Sequence, residues 1–327
     1  MKKNGNGLKI FFAMFFVQCM TNSVWAQKTT LSAEIYGYGG DMIYFDCVQS
    51  PFIRAEFHTN PGEEHLYSFD ATEPTCMIIN GRNNVLLSPG DSIHVVIRYD
   101  GRNVQSMNFT GADRAVLANR AMQKVENIKK QMRYKNQLLT CLALDVKPEA
   151  RIRDSKILLA KVDSLLETIS QKTDKSLIDY IKAGTEAAAY TSFMEYPVMY
   201  AETHKLPSAK GDDYWKLMEG VNLRDSKGAL ACPEYLGFLM RYSFFLDEKK
   251  ALESGNDYKM PDTFEDMYAS IAKGYKGAQR DAALYMLICN FIRSGKKVER
   301  AIPVVEDYKA NYNINKDYSE LLEKLLQ

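Results

Sequence analysis

At Gly111 the spacing of apolar residues changes, and this limits the fold more than any other feature of the chain. Before it, apolar positions alternate in short runs; after it, they recur every three or four residues. A period of two belongs to a half-buried strand, and one near 3.6 to an amphipathic helix. The chain therefore needs two kinds of layer, strands first and helices second.

Between Thr30 and Thr110 the runs are LSAEIYGY (31–38), MIYFDCV (42–48), FIRAEF (52–57), LYSFD (66–70), TCMIIN (75–80), NVLLS (84–88), IHVVIRY (93–99) and VQSMNFT (104–110). Short runs at nearly even spacing, rich in β-branched and aromatic residues, predict an antiparallel β-sandwich or barrel-like domain. No helical stretch lies between them to cover a parallel sheet. Leu31, Ala33 and Ile35 share one face of their strand. Ile93, Val95, Ile97 and Tyr99 do the same in theirs, which leaves His94, Val96 and Arg98 on the wetted side.

The connection Ser88-Pro89-Gly90-Asp91 raises a question of chemistry, because Ser92 and His94 follow it directly. Pro89 fixes φ at the first corner of a type II turn, and Gly90 accepts the positive φ of the second. Asp91 is suited to hold backbone N–H groups in that turn. Ser92 and His94 lack the sharp elbow and oxyanion donors of a nucleophilic site. A turn followed by a solvated strand is the expectation. Upstream, His58 and His65 flank a loop (60–64) that carries Glu63 and Glu64, but at no spacing typical of a zinc site.

Beyond Gly111, Leu117, Ala121, Val125, Ile128 and Met132 form a helical stripe. Lys147-Pro148 opens a second helix, striped by Leu158, Val162, Leu165 and Ile169, with a weak point at 170–174. A third runs up to Tyr196, where Pro197 is expected to limit it. A short amphipathic helix is predicted over 212–220 around Trp215. Pro233 suits the first turn of 232–245. Thr263 and Asp266 resemble a capping box, Gly295 ends the helix over 281–295, and Pro303 kinks its successor or marks its true start. No motif recurs at a fixed period, so an irregular all-helical domain is expected over 112–327 rather than a solenoid. Tyr190, Phe193, Tyr196 and Tyr200 are the densest aromatic group and the candidate interaction surface, with inter-helix core as the alternative reading.

The first 26 residues stand apart. Lys2, Lys3 and Lys9 precede the apolar stretch IFFAMFFV (10–17), and Val24-Trp25-Ala26 completes the pattern of a secretory signal peptide cut before Gln27. Cys19 follows Gln18, where lipoprotein processing needs a small residue, so no lipid anchor is expected. Without the segment's three lysines the formal net charge falls from +1 to about −2, which gives no reason to expect a nucleic-acid partner. No later stretch is long and apolar enough to cross a bilayer. Periplasmic or secreted localisation follows as the expectation, with strands over 27–111. Cys47, Cys76, Cys141, Cys232 and Cys289 remain, an odd number without any C-x-x-C. Cys47 and Cys76 are the pair placed to bridge; burial as small hydrophobes is the alternative.

The strand-rich domain ending in LSPGDSIHVVIRYDG and VQSMNFTGADRAVLANRAM, followed by helical text such as LACPEYLGFLMRYSFF and FIRSGKKVERAIPVVEDYKANY, resembles the accessory N-terminal region of TlpA-like thiol-disulfide oxidoreductases of Bacteroidetes. In that family a thioredoxin-like domain with a C-x-x-C pair follows. The sequence stops at Gln327, about where that domain would start, so the resemblance implies an accessory module and transfers no catalytic residue. No catalytic, cofactor-binding or metal-ligating set is expected. The leading expectation is a non-enzymatic envelope or periplasmic protein that contacts an envelope protein partner. A protein that binds a glycan or small metabolite is the alternative. Less favoured is a hydrolase or thiol enzyme assembled from distant groups such as Asp91, His94, His204 and Cys232.

Overall fold

The computed structural model describes residues 26–132, 146–207 and 214–327. The eight strands predicted are present: β1 (Gln27–Tyr38), β2 (Met42–Cys47), β3 (Arg54–His58), β4 (Glu64–Ala71), β5 (Thr75–Ile79), β6 (Asn83–Leu87), β7 (Ser92–Gly101) and β8 (Asn103–Gly111). They form two four-stranded sheets, ordered β4-β1-β7-β8 and β3-β2-β5-β6. Leu31, Ala33, Ile35, Ile93, Val95 and Ile97 from the first sheet meet Ile43, Phe45, Met77, Ile79, Val85 and Leu87 from the second in a core that excludes water.

The sandwich is not wholly antiparallel, as the sequence led us to expect. β1 and β7 run parallel, with Leu31 opposite Ile93, Ala33 opposite Val95 and Ile35 opposite Ile97. Five intervening strands, most of them in the other sheet, make the long connection that a parallel pair requires. The Ser88–Asp91 turn completes it. Asp91 N donates to Ser88 O at 3.1 Å and Gly90 has φ +82°, as a type II turn demands. Its flanking strands β6 and β7 lie in different sheets, so the turn is a crossing between layers rather than a hairpin. The buried Asp91 carboxylate accepts from Ser88 N at 2.7 Å and from Arg114 Nε at 2.9 Å, tying the turn to the helix that follows.

The helical region comprises α1 (Asp113–Gln131), α2 (Pro148–Glu167), α3 (Lys175–Thr203), the short α4 (Lys227–Leu230), α5 (Pro233–Glu253), α6 (Phe264–Gly274), α7 (Gly277–Arg293), α8 (Ala301–Asn311) and α9 (Lys316–Leu326). Pro148 and Pro233 occupy first turns, and Thr263 Oγ1 accepts from Asp266 N at 3.1 Å. Pro303 sits in the first turn of α8 and so marks its start. Two expectations need correction. α3 continues through Pro197 to Thr203; the cost of a proline in a helix interior, about 3 kcal/mol for the missing hydrogen bond and the ring clash together, is offset by burial of Phe193, Met194, Tyr196 and Pro197 itself. Of the helix expected over 212–220, the described part is a 3₁₀ turn, Trp215–Met218.

Helices cover the β5–β6 half of the second sheet, while Tyr44 and Asp46 of β2 and Arg54 and Glu56 of β3 stay exposed on its outer face. Cys76 and Leu86 point away from the sandwich core and into the helical one, so β5 and β6 are buried on both faces. α1 belongs to both cores, through Ala115 and Val116 on one side and Ala118, Met122 and Val125 on the other. Its fully buried Asn119 accepts from Leu86 N at 2.8 Å and donates to Leu86 O at 2.7 Å. The side-chain amide thus takes the place of a neighbouring strand along β6, which is an edge of its sheet.

Candidate functional site

The outer face of the first sheet is uncovered. Along β1 it carries Thr30, Ser32, Glu34 and Tyr36; β4 adds Glu64, Leu66 and Ser68, and β7 adds His94, Val96 and Arg98. These side chains engage one another. Thr30 and Ser68 hydroxyls meet at 3.0 Å, Tyr36 donates to Glu34 Oε2 at 2.7 Å, and the Arg98 guanidinium lies 4.5 Å from the Tyr36 ring centroid. At the centre, Ser32 Oγ is 2.8 Å from His94 Nδ1. Glu34 Oε1 stands 3.5 Å from His94 Nε2, and Glu64 Oε1 is 3.3 Å from Nδ1.

A hydroxyl, an imidazole and a carboxylate in contact satisfy the distance test for an activated nucleophile. The surroundings do not supply the rest. Ser32 is only 5% exposed, and β1 is paired along both edges, which commits its backbone donors to the ladders instead of to an oxyanion. The set works as a cross-strand hydrogen-bond network on a flat surface. The sequence paired His94 with Ser92, whereas the fold pairs it with Ser32, 62 positions earlier. The matching alternation of LSAEIY and IHVVIRY was the available signal, and nothing in it specifies that the two strands are neighbours.

The aromatic group on α3 is packed. Phe193 and Tyr196 are buried, and Tyr190 and Tyr200 are half-buried. Tyr190 lies 5.5 Å from Phe238 of α5, between ring centroids, while Arg151 of α2 is 5.3 Å from the Tyr196 ring. Trp215 is buried edge-on against Phe245 at 4.9 Å. These four residues therefore present no continuous outer surface: their helical spacing serves contacts with neighbouring helices. His204 stacks on Tyr200 at 4.0 Å and stays at the surface.

Among the described residues no group of histidine, cysteine and carboxylate side chains is arranged to hold a metal ion. His58 is exposed, while His65 turns inward against the Phe57 ring at 5.1 Å. Cys47, Cys76, Cys232 and Cys289 are buried free thiols, so Cys47 and Cys76 are not bridged; Cys141 lies outside the described residues. Burial pushes the Cys47 thiol up to about 11 and raises those of Cys76, Cys232 and Cys289, which keeps them protonated and poorly nucleophilic.

One polar assembly was not anticipated. At the seam between sandwich and helices, Gln49 donates to Ala231 O at 2.9 Å and accepts from Cys76 N at 3.1 Å, and Tyr285 donates to Gln49 O at 3.2 Å. Beside it, Thr72 donates to Asp317 Oδ2 at 3.0 Å, and Tyr318 stacks on Tyr285 with 4.1 Å between centroids. Burial raises the Glu73 carboxyl above the usual range, with Lys227 opposing the shift. Polar side chains thus gather both at the seam and on the open face. No family model, curated protein or solved structure matches this chain.

Proposed function

We propose that this is a non-enzymatic protein of the cell envelope, located in the periplasm or secreted, that acts by binding another envelope protein through the open face of its first sheet. The observation that carries the reading is the asymmetry of the sandwich: helices pack on the β5–β6 part of the second sheet's outer face, and none packs on the first sheet's, whose side chains are already interlinked. A surface ordered before binding has less entropy to lose on association. Acids and bases occur together on it, and Leu66 offers a large apolar side chain that is 59% exposed. That composition suits a polar, separable protein interface. No helix among the described residues is long and apolar enough to cross a membrane.

The test is photo-crosslinking in intact cells, with a photoreactive residue at position 66 and a control at Ile302, an exposed position on α8. A discrete protein adduct from position 66 alone, lost on Arg98→Glu, is the expected result. Equal adducts from both positions, or none from position 66, would refute the proposal. A second reading, binding of a glycan or small envelope metabolite, is favoured by the cavities at the domain seam.

A further inference from the structure

Two adjoining cavities, of about 250 and 400 Å³, open at the seam between sandwich and helices, and Glu73, Leu230 and Tyr318 line both. The Tyr318 ring, held by its stack on Tyr285, is part of the wall they share. The smaller cavity is largely apolar, with Leu230, Leu236 and Met286 in its lining and Arg293 as its cation. Arg293 is exposed and has no carboxylate partner among the described residues. The larger cavity has acids in excess. Glu73, Asp225, Asp281 and Asp317 line it, with Lys227 and Lys316 as its cations.

The acids are not equivalent. Asp281 is spent, since Tyr308 and Asn313 donate to Oδ1 and the backbone N of Asn315 donates to Oδ2 at 2.7 Å. Asp317 already accepts from Thr72. Glu73 has only a long contact, 3.4 Å from Asn315 Nδ2, and Asp225 has no ion-pair partner among the described residues. Glu73 is half-buried with so little donor support that it favours a cationic donor to complete its shell, and the exposed Asp225 lies in the same lining. The raised proton affinity of Glu73 is a sign of that deficit.

We propose that the seam binds a short peptide with free termini, its ammonium group between Glu73 and Asp225, an apolar side chain against Tyr318 and Leu230, and its carboxylate on Arg293. An acid-rich chamber and a cation-bearing one, joined by an apolar and aromatic wall, match a zwitterion with an apolar middle. Neither a fatty acid nor a simple amine would use both ends. This inference rests on the second reading above and names its ligand class.

The probe is trileucine titrated calorimetrically into the purified protein, beside N-acetyl-trileucine and trileucine amide. Trileucine is expected to bind, and each blocked form to bind at least about tenfold more weakly, the loss of one charge-assisted contact. Arg293→Gln should abolish the distinction between acid and amide, and Glu73→Gln that between amine and acetyl. No binding of trileucine at millimolar concentration, or blocked peptides as tight as the free one, overturns the proposal. A panel of envelope sugars and metabolites run in parallel separates the two readings. Binding there but not by trileucine overturns the peptide assignment alone, and no binding by any compound overturns the second reading with it.

Discussion

The two sheets of the sandwich have the same strand count and share one core, yet helices cover β5 and β6 of the second and no strand's outer face in the first. On the second sheet, Cys76 and Leu86 are wholly enclosed by helices, and Asn119 supplies β6 with the partner that an edge strand lacks. On the first, Glu34, Tyr36, His94 and Arg98 remain at least partly open to solvent and pair among themselves and with the buried Ser32. The difference is written in the strands. TCMII and NVLL are apolar at successive positions, as befits strands buried on two faces, whereas LSAEIY alternates and IHVVIRY does so except at Val96. A sheet with two apolar faces must be covered. One with a single apolar face is free to present the other.

If this contrast is right, substitutions on the outer faces should differ sharply in cost. Leu86→Ala removes side-chain volume from a sealed interface and should lower unfolding free energy by about 3 kcal/mol in urea titrations; a loss below about 1 kcal/mol would mean that the helices do not seal this part of the sheet. Asn119→Ala strands a buried N–H and C=O of Leu86, and the same titration should register about 2 kcal/mol. On the open face, Ser32→Ala should cost about 1 kcal/mol or less, because it removes one hydrogen bond and leaves His94 with Glu34 and Glu64 as partners. Leu66→Ser should leave stability within about 0.5 kcal/mol of the parent while removing the crosslinked adduct; strong destabilisation would show the face to be covered after all.

The smallest effect concerns pH. The Glu73 carboxyl is raised by burial in the fold, so the stability linked to its protonated form is present below the unfolded carboxylate pKa and is lost as pH rises through the folded one. Glu73→Gln cannot ionise. Relative to the parent, it should therefore gain stability as pH goes from about 4 to about 7, with the gap closing at the acid end. A gap that widens toward acid would reverse the sign and place Glu73 in a stabilising ion pair.

Much of the architecture could be read before any coordinates. Strand runs, the Gly90 turn, Pro148, Pro233 and the Thr263 cap are local events, governed by dihedral limits and nearby hydrogen bonds. The misreadings have a common source. Pro197 looked like a helix terminus because local propensity carries no account of the packing around it. For the Tyr190–Tyr200 group both a surface and an inter-helix core were open readings, because helical spacing alone does not say which face another helix will occupy. Ser32 and His94, or Glu73 and Tyr318, are far apart along the chain and became neighbours only through strand pairing and domain docking.

By itself the sequence determined that strands precede helices, where most of them begin and end, and which side of each strand is apolar. All of these follow from periodicity and from the few conformations that proline and glycine permit or refuse. Tertiary structure alone decided that β1 runs beside β7, that Asn119 completes β6, and that two cavities lie at the seam. Such contacts join residues whose separation along the chain leaves no periodic trace, and their partners are chosen by the free energy of the whole packed arrangement.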